Sequence, residues 1–81
     1  MNEIKTVILQ AIEGSEVHIL DPRGDGIHLE AIVISPLFIG MPLLKRQKIV
    51  MTALKELFET SLHALALKTY TPEQWDHAQT N

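Results

Sequence analysis

The sequence predicts an α+β domain of order αββαβα, a sandwich whose three-stranded sheet is covered on one face by helices. Three observations point there. Apolar residues recur at helical period near the N-terminus, two short β-branched runs flank a turn-rich loop, and a proline-opened helix precedes a third alternating run. With 81 residues there is room for a single domain, 1–81, and one modest core.

Each element has its own signal. Residues 2–13 carry Ile4, Val7, Ile8, Ala11 and Ile12 at i, i+3, i+4, i+7 and i+8, one stripe of a helix. Gly14 follows where a left-handed C-cap is expected. From Glu16 to Asp21, Val17 and Ile19 alternate with His18, which suits a short strand. Pro22-Arg23-Gly24-Asp25-Gly26 is turn chemistry, and His28 to Ser35 is a second strand. The two must pair antiparallel, because so short a loop cannot make a crossover.

Pro36 to Met41 is an irregular connection whose apolar side chains must partly bury. Pro42 is expected to open a long helix to about Thr60, since proline is tolerated at the first helical position. Leu43, Leu44, Val50, Leu54, Leu57 and Phe58 are expected on its core face, with Lys45, Arg46, Lys48 and Lys55 mostly elsewhere. Leu62 to Thr69 reads as the third strand, with His63, Leu65 and Leu67 on one face and Ala64, Ala66 and Lys68 on the other. Thr71 as N-cap, Pro72 at the first position and Glu73 then open a short helix holding Trp75.

Composition narrows the function classes. Net charge is −3, so no global positive field draws the chain to nucleic acid or anionic lipid. There is no cysteine, so disulfides and thiolate-only metal sites are excluded, and a metal needs His, Asp, Glu or a partner's atoms. Neither a signal peptide nor a membrane span is visible, and the expectation is a cytoplasmic protein.

Four histidines are the main candidate ligands besides carboxylates. His63 opens the third strand beside the end of the long helix; on pattern alone a satisfied strand-end histidine is the default reading. His28 opens the second strand after the glycine-rich turn, where plain surface polarity is again the default. His18 lies mid-strand on a non-core face and His77 near the C-terminus, both read as solvated. No two share local metal-site spacing such as H-x-x-x-H, so any site must be assembled by folding.

Lys45-Arg46-Gln47-Lys48 is a basic patch, read as an ordinary solvated face. Phosphate binding would gain from the helix N-terminus, but few aromatics are available for base stacking. Gly24-Asp25-Gly26 is not a phosphate loop, because neither a helix nor a Lys-Ser/Thr pair follows. Ser61 stands two residues before His63, too slender a basis for a hydrolase. The chain is read as non-enzymatic.

Two long stretches carry a family resemblance. Leu37-Phe38-Ile39-Gly40-Met41-Pro42-Leu43-Leu44-Lys45-Arg46-Gln47-Lys48-Ile49-Val50 resembles the BolA-family core motif of phenylalanine, glycine and a basic helix start. The stretch from Leu62-His63-Ala64 through Thr71-Pro72-Glu73-Gln74-Trp75 is similar to the family's C-terminal signature. Gly24-Asp25-Gly26-Ile27-His28 is similar to the loop of the IbaG-like bacterial branch. The likeness runs from the first helix to Trp75. It departs where the family's frequent Arg-His-Arg at the helix start reads Lys45-Arg46-Gln47.

What this resemblance implies is a fold related to class II KH domains and a role as partner of a monothiol glutaredoxin, with which a bridged 2Fe–2S cluster is shared. The glutaredoxin cysteine and glutathione hold one side in that arrangement. On the other, the family's signature histidine and its loop His or Cys carry over to His63 and His28. Imidazoles can replace two thiolates on one iron, as in Rieske centres, and such ligation needs neutral imidazole, so acid weakens it. Phe38, Gly40, Lys45, Arg46 and Lys48 are the expected docking or glutathione-facing surface. The expected state is a monomer alone and a one-to-one heterodimer with its partner. The rival reading is a DNA-binding regulator of stress or morphology genes acting through the basic helix start. Against it, KH domains clamp nucleic acid with Gly-x-x-Gly, and Gly40-Met41-Pro42-Leu43 keeps one glycine only.

Overall fold

The computed structural model describes residues 2–60, 62 and 64–80. In chain order the elements are α1 (Asn2–Ala11), β1 (Glu16–Leu20), β2 (His28–Ile34), a short 3-10 turn (Pro36–Phe38), α2 (Leu43–Ala53), α3 (Lys55–Thr60), β3 (Ala64–Tyr70) and α4 (Pro72–Thr80). The sheet order is β1-β2-β3, antiparallel between β1 and β2 and parallel between β2 and β3. This is the expected α+β class with its three-stranded sheet, compatible with a KH-type topology; α1 and α2 lie on one face, and α4 brings Trp75 to the other.

The core lies between the sheet and α1 with α2. Ile4, Ile8 and Ile12 line the buried stripe of the first helix and its exit and pack with Val17, Leu29 and Val33 of the sheet. Gly14 has φ +75°, the left-handed value that an end-of-helix glycine supplies without steric cost. On the sheet's other face Ile32 and Ile34 are also buried. There α4 brings Trp75 against His18, ring centroids 5.6 Å apart and stacked, and against Tyr70 at 5.3 Å. His18 is thus a packed residue, half-buried and 2.6 Å from Glu16, rather than a merely solvated one.

Two expectations about the long helix are corrected. It is two helices, α2 and α3, separated at Leu54, where φ −92° and ψ 2° leave helical values. No glycine or proline marks this break in the sequence; Leu54 is fully buried, so a tertiary demand is met at that position. Secondly, Leu43 and Leu44 are 57% and 77% exposed, whereas Arg46 is only 8% exposed. The inward stripe of α2 runs through Arg46 and Val50 to Leu54 at i, i+4, i+8, and Phe38 fills the core beside its first turn. Pro42 precedes α2 as its cap residue, and its carbonyl accepts from the backbone N–H of Lys45 and Arg46.

The connection before α2 is built by Ser35. Its hydroxyl accepts from the Leu37 N–H at 3.1 Å, and Pro36 opens the 3-10 turn, which delivers Phe38 into the core. The third strand is described over Ala64–Tyr70, and the Tyr70 carbonyl accepts from the Ser35 N–H; of the residues expected to open it, Leu62 is not in a strand and His63 lies outside the described residues.

Candidate functional site

One end of the sheet gathers the β1–β2 loop with the starts of β2 and β3. His28, the first residue of the central strand, is the register partner of Ala64, the first residue of β3, because those strands run parallel. A shallow depression of about 320 Å³ lies here, lined by Pro22, His28, Glu30, Ala64 and Ala66 among others. Glu30 is paired to Lys68 at 3.2 Å across its flank.

The loop is more ordered than its glycine content predicts. Asp25 Oδ1 accepts from the backbone N–H of Ile27 at 2.9 Å and of His28 at 3.0 Å. Its Oδ2 lies 2.9 Å from His28 Nδ1. Asp21 braces the other side: its Oδ2 accepts from Gly26 N–H at 3.0 Å and its carbonyl from Gly24 N–H at 3.1 Å. Gly26 sits at φ +70°, a turn conformation that disfavours any side chain. The hydrogen bond with the His28 ring, then those from the His28 and Ile27 amides, lower the Asp25 pKa from 3.8 to about 2.

His28 is therefore a half-exposed imidazole, with 48% of its side chain accessible, held by a carboxylate at the rim of a depression. Such a ring can ligate a metal or accept a hydrogen bond from a partner. The other histidine of the expected pair, His63, lies outside the described residues. Among the described residues no group of three or more His, Cys, Asp and Glu could hold a metal ion.

The expected docking surface divides. Gly40, Lys45 and Lys48 are exposed. Phe38 and Arg46 are not part of a surface. Phe38 is fully buried. The Arg46 guanidinium lies 5.7 Å over the Phe38 ring and donates through Nε to the Met41 carbonyl and through Nη1 to Gln74 Oε1, both at 2.9 Å. An arginine can be read as solvated from its charge, but its long stem and planar head also suit a half-enclosed cap site.

Sequence reasoning missed two residues, Asp25 and Gln74. Asp25 stands three positions before His28, a short-range Asx pattern that was legible. Gln74 stands three after Thr71, the spacing of a capping box, and the two exchange hydrogen bonds: Gln74 N–H to Thr71 Oγ1 at 3.2 Å and Thr71 N–H to Gln74 Oε1 at 3.0 Å.

Comparison with known proteins places these features in context. A family model described as BolA-like protein matches residues 1–74. The acid stress protein IbaG of Escherichia coli is 39% identical over 75 residues, covering 91% of this chain and 86% of that protein. The DNA-binding transcriptional regulator BolA of the same organism is 34% identical over 73 residues, covering 90% of this chain and 69% of that one. Both names describe a stress protein or a regulator, not an enzyme. The structure of a bolA protein homologue from Coxiella burnetii superposes with a TM-score of 0.79 at 38% identity, covering 94% of this chain and 95% of that one. No helix among the described residues is long and apolar enough to cross a membrane.

Proposed function

Because the chain belongs to the BolA-like protein family, matched over residues 1–74, we propose that it is an iron–sulfur adaptor that binds a monothiol glutaredoxin and shares a 2Fe–2S cluster with it. The observation that carries this reading is His28: an accessible imidazole held by Asp25 on an ordered loop at the end of the sheet. The second imidazole of the reading is His63, which precedes Ala64 in the chain and is implied by the family's C-terminal signature.

The donor set fits a shared cluster and not a resident one. The chain has no thiol, so His28 and His63 would supply imidazole to one iron while the partner's cysteine and glutathione complete the other. When bound, the cluster supplies a redox-active, transferable iron–sulfur unit. This chain's own contribution is to present the imidazole at a rim a partner can reach, with Lys45 and Lys48 available on the exposed start of α2.

Anaerobic co-expression with a monothiol glutaredoxin in the presence of glutathione tests the proposal. The captured complex is expected to contain iron and sulfide and to differ in visible absorption from the glutaredoxin alone. His28→Ala and His63→Ala should each abolish that difference; spectra unaltered in both variants would remove the reading.

A second reading, DNA binding, rests on the names of relatives. The burial of Arg46 leaves Lys45 and Lys48 as the exposed cations of the α2 start. DNA binding predicts a steep salt dependence that Lys45→Glu with Lys48→Glu abolishes, and no shift of duplex at physiological salt excludes it.

A further inference from the structure

We infer that Asp25 is the positioning residue that keeps the His28 proton on Nδ1, leaving Nε2 as the nitrogen free to ligate. What Nε2 meets rests on the iron–sulfur reading; which nitrogen carries the proton is a property of this chain alone.

The geometry is specific on this point. An ionised carboxylate can only accept, so the 2.9 Å contact with Asp25 Oδ2 requires Nδ1 to donate. The carboxylate cannot swing away to suit the other ring nitrogen, because its Oδ1 is engaged by the Ile27 and His28 amides. The turn behind it is fixed in turn by Asp21 through the Gly24 and Gly26 amides. His28 Nε2 makes no hydrogen bond among the described residues. The partner of one ring nitrogen sets the state of the other, and with Nδ1 protonated the lone pair of a neutral imidazole is on Nε2. A carboxylate behind a ligating imidazole also raises its basicity toward the metal. Asp25 touches neither substrate nor metal in this scheme; it acts through His28.

Asp25→Asn separates this role from mere turn building. The amide oxygen can still accept from Ile27 and His28, so the turn is retained, while the amide NH2 group now faces Nδ1 and donates to it. The ring proton should then move to Nε2, and the ligating lone pair is lost from that position.

The test is two-bond proton–nitrogen correlation on the 15N-histidine-labelled chain, read on the neutral imidazole. The expected result is a majority Nδ1–H tautomer for His28 in the wild type and a shift to majority Nε2–H in Asp25→Asn. The variant's glutaredoxin complex should also lose its cluster absorption at matched expression. A wild-type ring with its proton mainly on Nε2 would overturn the assignment, as would wild-type and variant spectra that coincide. Should Asp25→Asn fail to fold, the wild-type tautomer still decides. A reversed tautomer with no iron captured by either protein upholds the role of Asp25 and removes the cluster reading instead.

Discussion

Arg46 and Gln74 lie 28 residues apart in the chain and meet through a 2.9 Å hydrogen bond from the guanidinium Nη1 to the amide Oε1. That same Oε1 accepts from Thr71 N–H, so the capping box that starts α4 is tied by one arginine to the first turns of α2. The consequence is that a residue from the basic patch serves the fold. Arg46→Ala should lower unfolding free energy by roughly 1.5–3 kcal/mol, the range for a lost charged hydrogen bond. Arg46→Lys should also destabilise, since an ammonium cannot serve Met41 and Gln74 with one planar fork. Lys48→Ala, on an exposed position, should stay within about 0.5 kcal/mol. Urea denaturation of the three variants checks the order.

Phe38 is the largest fully buried side chain, and its ring underlies the Arg46 guanidinium. Phe38→Ala is expected to cost about 3–5 kcal/mol, a large part of the stability of so small a domain. Loss of partner binding in this variant would therefore report unfolding, and a circular dichroism melt alongside the binding assay shows which has occurred.

Asp25 makes the loop sensitive to strong acid. Its folded pKa is about 2 against an ordinary 3.8, so the ionised carboxylate is favoured by folding. For a depressed acid the stabilisation is fully present above the unfolded value and is lost as pH falls through the folded one. The amide shifts of Ile27 and His28 should hold steady above about pH 4 and titrate together near pH 2. Asp25→Ala should remove that titration from both amides.

His28→Ala should leave the fold intact, with stability changed by no more than about 1 kcal/mol, because an exposed histidine–carboxylate pair contributes little. Its effect belongs to the glutaredoxin complex, where the cluster spectrum should be lost. A variant destabilised by several kilocalories per mole, or one that keeps the spectrum, contradicts this division between folding and function.

Much of the fold was legible because its signals are local. The stripe from Ile4 to Ile12, the β-branched runs and the Thr71-Pro72 start are each contained in a short stretch of chain, and α1, β1, β2 and α4 appear where these patterns place them. The break at Leu54 was not legible. It carries no glycine or proline, and only the burial of Leu54 in the assembled core distinguishes it. The candidate site was half legible: from residue type and position His28 reads as plain surface polarity, the family resemblance marks it as a ligand, and its ordering by Asp25 needed the loop to close.

The sequence by itself determined most of the elements and their order, the thiol-free composition and the histidines available for chemistry, because periodicity, capping and side-chain type are properties of neighbouring residues. Only the tertiary structure decided that Arg46 faces inward while Leu43 and Leu44 face water, and that Ala64 comes to rest beside His28. Those outcomes depend on which surfaces meet when helix and sheet close. The free energy of a side chain's burial is fixed by the partner across the core, not by the residues on either side of it in the chain.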